Sequence, residues 1–188
     1  GGSISPLLAN IYLHFVLDEW LDEWRKTHAT GDVIAVRYAD DFIVGFQHRA
    51  EAECFLAELR ERFRQFHLEL HPEKTRLIEF GRFAARNRAD RGEGKPETFD
   101  FLGFTHISAK TRSGAFQVLR QTMRKRMRNK LREIKAELAR RMHHTIPEVG
   151  AWLSAVLKGH ANYYAVPNNS PALRSFRNQI LILWQRAL

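Results

Sequence analysis

The chain holds a single cysteine, Cys54, in 188 residues. No intrachain disulfide can form and no cysteine zinc cluster can be built, so the fold rests on burial and hydrogen bonding, and a reducing compartment is the natural setting. No apolar run approaches membrane-spanning length, which argues against a membrane partner. An initiator Met and the basic start of a signal peptide are both missing. The chain opens Gly1-Gly2-Ser3-Ile4-Ser5-Pro6, and the expectation is that an upstream part has been lost. Internal repeats and low-complexity tracts are absent too.

Acid is scarce after residue 99. Residues 1–99 carry 14 Lys and Arg against 17 Asp and Glu, whereas residues 100–188 carry 16 against 4. The net charge of +9 therefore comes entirely from the second half, the pattern of a near-neutral body joined to a polyanion-binding module. A basic face kept for solubility is the plainer alternative. Hydrophobic residues make up 44% of the chain, enough for a packed core at this length.

Ser5-Pro6 reads as an N-cap followed by proline at the first helical position, opening a helix toward Thr27. Val33–Arg37 and Phe42–Phe46 are β-rich runs flanking Tyr38-Ala39-Asp40-Asp41, a hairpin. Ala52, Phe55, Leu59 and Phe63 recur at helical spacing between Glu51 and about Phe66. Arg76–Phe80 is a short strand, and Arg82–Glu97 an Arg- and Gly-rich loop, the least ordered stretch. Phe99–Ile107 and Ala115–Leu119 read as two strands joined across Thr111–Gly114. Beyond Leu119 the pattern is helical: a stripe from Met123 to Met142, a capping box at Thr145-Ile146-Pro147-Glu148, and a third helix capped at Ser170-Pro171. The fold class is α+β, with a domain boundary at residues 119 and 120.

Adjacent aspartates between apolar strands repel one another, and neither supplies the glycine a tight hairpin turn prefers. Two readings are open. One is a solvated turn. The other is a pair of carboxylates that hold Mg²⁺, a hard cation usually shared with substrate phosphates, in two-metal phosphoryl transfer. On the second reading Tyr38 faces nucleic acid or nucleotide.

Tyr38-Ala39-Asp40-Asp41 resembles the YxDD signature of reverse transcriptases, in the form seen in group II intron enzymes. Further matches lie in order along the chain. Gly1-Gly2-Ser3-Ile4-Ser5-Pro6-Leu7-Leu8-Ala9-Asn10 resembles the family's QGGxxSPxLxN motif without its Gln. His71-Pro72-Glu73-Lys74-Thr75 resembles the lysine-bearing motif, and Phe101-Leu102-Gly103-Phe104 the FLGF primer grip. Gly159-His160-Ala161-Asn162-Tyr163-Tyr164, between the Trp152 helix and Phe176–Trp184, resembles the maturase-specific region.

The resemblance implies a partial polymerase palm over 1–119, with helices on a small antiparallel sheet, and an all-helical thumb or maturase bundle over 120–188. It implies an RNA-directed DNA polymerase that also binds its intron RNA to aid splicing, with Mg²⁺ as cofactor and RNA template, DNA primer and dNTP as partners. Asp40, Asp41 and Lys74 are the catalytic candidates. The two aspartates would hold metal, and Lys74 would neutralise or protonate pyrophosphate. Gly2, Ser3, Asn10 and Tyr38 would contact nucleotide or template, Gly2 and Ser3 by letting the backbone approach closely. Leu102 and Gly103 would form the primer grip.

Ten cations between Arg120 and Arg141 face two acids, Glu133 and Glu137. Of these, Arg120, Arg124, Lys125, Arg128, Arg132 and Lys135 are the RNA-binding candidates. Tyr163 and Tyr164 either stack on bases or pack in the core, and His160 has no second ligand at metal-binding spacing. In the family a further catalytic aspartate and the fingers precede Gly1, so the segment alone is expected to be inactive. Any endonuclease domain is expected beyond Leu188. Two other readings compete: a non-catalytic splicing factor of the same ancestry, and an unrelated basic nucleic-acid module. The expected setting is bacterial cytoplasm, with an organelle as the alternative.

Overall fold

The computed structural model describes residues 4–188, with helices and small antiparallel sheets in an α+β arrangement. The chain forms two compact units, Gly1–Ile78 and Glu79–Leu188. They part well before residue 119, so the strands after Phe99 share a unit with the helices that follow. Among the described residues no helix is long and apolar enough to cross a membrane.

The first unit opens on a helix that changes face part-way. Helix α1 (Ser5–Leu13) runs through a π-helical segment, His14–Asp18, into α2 (Glu19–His28). Ile4 already has helical backbone angles and takes the cap position, so Ser5 lies inside the first turn and no side chain caps it. The wider π turn shifts the side-chain register. Before it, α1 buries nothing, and Leu7, Leu8 and Ile11 are exposed. Within and after it, Val16, Leu17, Leu21 and Trp24 point inward.

Strands β1 (Val33–Tyr38) and β2 (Asp41–Phe46) form an antiparallel hairpin, pairing Val33 with Phe46 and Tyr38 with Asp41. Side chains alternate along a strand. Val33 is buried while Ile34, Val36 and Tyr38 are exposed. Helix α3 (Arg49–Gln65) closes the core with Ala52, Phe55, Leu59 and Phe63. Trp24 is its centre: the ring packs edge-on to Phe46 and Phe55, and Nε1 donates to Glu58 Oε2 at 2.8 Å.

Arg76–Phe80, expected as a strand, is irregular, because no strand lies alongside to complete a ladder among the described residues. The expected loop at 82–97 contains a short helix, α4 (Ala84–Asp90). Two arginines of this stretch engage neighbouring acids: Arg91 holds both Glu79 and Glu93, and Arg88 pairs with Glu93 at 3.3 Å. The expected strand Phe99–Ile107 is a hairpin instead, β3 (Phe99–Phe101) turning at Leu102-Gly103 into β4 (Phe104–Lys110). Strand β5 (Phe116–Thr122) completes the three-stranded sheet in the order β3-β4-β5.

Three helices follow: α5 (Arg124–Arg140), α6 (Ile146–Tyr164) and α7 (Ser170–Gln185). Leu131, Ile134 and Leu138 of α5 meet Val149 and Leu153 of α6 and Phe176 and Ile180 of α7. Phe176 and Ile180 are wholly buried, each stabilising the bundle by roughly 1.5–3 kcal/mol. The stripe ends early, since Met142 is exposed. The capping box forms as expected: Thr145 N–H and Oγ1 donate to Glu148 Oε2 at 2.9 and 2.8 Å. At α7 the cap is Asn169 rather than Ser170. Its buried side chain accepts from Thr122 N–H at 3.0 Å and donates to Thr122 Oγ1 and the Tyr164 carbonyl, both at 2.8 Å.

His160 lies within this bundle, stacked on Phe176 with ring centroids 3.7 Å apart, and its buried Nε2 has no hydrogen-bond partner among the described residues. Burial, aided by the nearby Lys130 charge, holds its pKa below the usual imidazole value. Such a histidine binds fewer protons folded than unfolded once pH drops below about 6.5. Its share of stability is whole above that pH and is lost as pH falls toward the folded value. Chemical denaturation midpoints should therefore drop between about pH 7.5 and 5.5. His160→Leu should flatten the slope, leaving the part due to His106, which burial also depresses; an unaltered slope would mean that the ring protonates freely in the folded chain.

Candidate active site and nucleic-acid interface

The acidic turn is as tight as antiparallel strands allow. Tyr38 pairs with Asp41 across the end of the ladder, and only Ala39 and Asp40 lie between. A two-residue turn demands positive φ, and Ala39 supplies it at 54° despite its Cβ. That strain costs about 1–2 kcal/mol. Tyr38, Asp40 and Asp41 are all exposed. Among the described residues neither carboxylate has a hydrogen-bond or ion-pair partner, so their oxygens are free for a cation. Two hard oxygen donors suit Mg²⁺ as part of a shell completed by water and phosphate. The described residues hold no cluster of three or more metal-ligating side chains.

Behind the turn lies a residue that the motif search passed over. Arg37 lies on the same face of β1 as the buried Val33 and reaches back to the π-helical segment. Its Nε donates to Asp18 Oδ1 at 2.7 Å and its Nη2 to Asp18 Oδ2. Its Nη1 donates to Asn10 Oδ1 at 3.0 Å and to the Ala39 carbonyl at 2.9 Å. The hydrogen bond from Arg37 holds the Asp18 carboxyl below its usual pKa, with a further pull from His14. Asn10 is thereby joined to the aspartate turn through one guanidinium. The one available signal in the sequence was a charge on the inward face of a half-buried strand, which calls for a partner.

Lys74 lies in the turn after His71, whose carbonyl accepts from its backbone N–H at 3.2 Å. Its side chain is exposed and, among the described residues, has no carboxylate partner. No bond joins it to Asp40 or Asp41. Gly2 and Ser3 lie outside the described residues.

In the second unit the Leu102-Gly103 turn again needs positive φ, met at 47° and 82°. Gly103 is buried, and a Cβ there would sit 2.9 Å from the Tyr164 hydroxyl. The glycine requirement is thus explained by packing within the chain. Tyr163 Oη donates to the Leu102 carbonyl at 2.8 Å, and Met123 N–H donates to the Gly103 carbonyl at 3.0 Å. Phe104 packs against both tyrosines, stacked on Tyr163 at 5.9 Å and edge-on to Tyr164 at 5.2 Å. Tyr164 is half-buried in this packing, whereas Tyr163 keeps 53% of its surface exposed.

Arg120 on β5 and Arg124, Lys125, Arg128, Arg132 and Lys135 on α5 are exposed. None has an acidic partner among the described residues. At 3.6 residues per turn, Arg124, Arg128, Arg132 and Lys135 fall within an arc of about 80°, and Glu133 and Glu137 lie on the far side. Those acids are taken by other cations: Glu133 by Lys130 at 3.0 Å, and Glu137 by Arg140 and Arg141 at 3.4 and 2.8 Å. The first turn of α5 contains no acid. Arg124, Lys125 and Arg126 stand there, where the helix dipole disfavours positive charge. An arrangement selected for stability alone would not have this polarity.

Comparison with curated proteins gives no match. Residues 1–106 match the family described as Reverse transcriptase (RNA-dependent DNA polymerase), a span that includes the Tyr38–Asp41 turn, Lys74 and the Leu102-Gly103 turn. With more than half of its length accounted for in this way, the chain belongs to the reverse transcriptase family.

Proposed function

We propose that this chain is part of a group II intron-encoded reverse transcriptase and maturase, in which residues 1–119 serve as palm and residues 120–188 as thumb and maturase region. The observation that carries the reading is the pair of exposed carboxylates, Asp40 and Asp41, without a partner among the described residues, on a turn that closes a paired hairpin. Family membership brings template, primer and nucleotide as partners. When bound, Mg²⁺ would lower the pKa of the primer 3′-hydroxyl and offset the charge of the departing pyrophosphate.

The remaining work falls to side chains. Asp40 and Asp41 supply oxygen ligands. Lys74 meets the triphosphate with its uncommitted charge. Tyr38, next to the aspartates and exposed, faces the nucleotide or template together with Gly2, Ser3 and Asn10. Leu102 and Gly103 touch the primer at a turn whose carbonyls are already satisfied internally. Arg120, Arg124, Lys125, Arg128, Arg132 and Lys135 bind the phosphates of intron RNA. A splicing factor without synthesis is the second reading, favoured by the one-sided cation arc of α5, which serves RNA binding whether or not the aspartates are used.

Two experiments test these roles. In the protein active in primer extension, Asp40→Asn should lower the Mg²⁺-dependent rate by about 10³-fold or more, the loss of several kcal/mol of transition-state stabilisation. RNA affinity, read by filter binding, should hardly change; equal loss of both would make Asp40 structural. Separately, changing Arg124, Arg128 and Lys135 together to Gln should reduce the slope of log K against log salt for structured RNA by roughly two to three units. Folding should survive, because exposed substitutions cost about ±0.5 kcal/mol each. A slope that stays the same on folded protein would assign the arc to solubility.

A further inference from the structure

The aspartate turn does not hold itself in place. Ala39 has a backbone angle that glycine would adopt freely, and the four residues from Tyr38 to Asp41 are exposed. The fixed point is one residue back. Arg37 makes four hydrogen bonds, two to the Asp18 carboxylate and one each to Asn10 and the Ala39 carbonyl. A guanidinium has five N–H groups in a planar fork, so this side chain is nearly saturated. It is also sheltered, with 18% of its side chain exposed, which strengthens the pairing relative to a surface ion pair.

We propose that Arg37 is a positioning residue for Asp40 and Asp41: it ties the strained turn to the π-helical segment through Asp18, and Asn10 acts on the aspartates through it. Asp18 has a second part in this arrangement. An arginine two residues from Ala39 and three from Asp40 is a ready intramolecular counter-ion for the aspartates and would compete with a metal cation for them. Bidentate engagement by Asp18 offsets that charge. The π segment matters for the same reason, because Asp18 is its last residue.

The effect on synthesis rests on the polymerase reading, whereas the tethering does not, so the two are measured separately in the complete protein. Hydrogen exchange at the amides of residues 38–42 reads the tether. Arg37→Gln should speed exchange there by about 10-fold or more, the effect of losing charge-assisted hydrogen bonds, while α3 and the ladder near Val33 stay protected. Arg37→Lys should give partial protection, since an ammonium cannot reproduce the fork. Primer extension reads the consequence: Arg37→Gln should lower kcat and raise the Mg²⁺ concentration needed for half-maximal rate, with the KM for template-primer unchanged. Asp18→Asn, which releases Arg37 toward the aspartates, should raise the Mg²⁺ requirement in the same direction.

Unchanged exchange at 38–42 in Arg37→Gln would overturn the proposal whatever the activity. So would a loosened turn in an active enzyme whose kcat and Mg²⁺ requirement stay as in the parent. A loosened turn in a protein whose parent form makes no DNA would leave the tether standing and remove the polymerase reading instead. Should Arg37→Gln fail to fold, Asn10→Ala takes its place, since it deletes one acceptor on an exposed helix face. It should reproduce the faster exchange in smaller measure, and its failure to do so would count equally against the proposal.

Discussion

Closing two antiparallel strands with only two residues forces positive φ, and in this chain the demand falls twice on a residue that has a side chain. Ala39 meets it in the first unit and Leu102 in the second. Strain of this kind persists only where the surroundings over-determine the conformation. Both turns have such surroundings, and of the same design: a carbonyl of the turn accepts a hydrogen bond from a side chain, Arg37 at Ala39 and Tyr163 at Leu102. The donors differ as the settings require. Arg37 belongs to a polar network on a strand end, whereas Tyr163 brings an aromatic face that packs on Phe104 and a hydroxyl that reaches the backbone.

Much of the fold was legible because local chemistry and tertiary packing agree. The spacing of Phe55, Leu59 and Phe63 specifies α3, the Thr145–Glu148 box specifies the start of α6, and alternation around the acidic tetrapeptide specifies the hairpin. Several misreadings turn on one or a few residues. One residue too many per turn makes His14–Asp18 a π segment, and no periodicity count detects that. One Gly at 103 inside an apolar run splits an expected strand in two. Alanines at 84, 85 and 89 hold a helix in what composition presented as a loop. Cap positions slipped by one residue at Ile4 and Asn169 because neither side chain caps its own helix.

For the candidate site, the residues that carry charge toward solvent were legible and those that hold them were not. Asp40, Asp41, Lys74 and the α5 cations announce themselves by pattern. Arg37 and Asp18 are 19 residues apart in sequence and meet only because the π segment and the end of β1 come together. Electrostatics separates the two groups as well. Arg37, Arg88 and Arg91 are engaged with carboxylates, whereas the α5 arc has none among the described residues.

Asn169 sets how the second unit comes apart. The end of β5, the last turn of α6 and the cap of α7 all meet on its one buried amide. Local opening in most proteins begins at connections between elements, where few groups are buried. Here the connection between α6 and α7 is itself a buried anchor, and the residue it grips, Thr122, sits two positions before α5. Helix α7 cannot peel away at this end without stranding polar groups on β5 and α6. One side chain thus couples the opening of the α6–α7 connection to the end of the sheet.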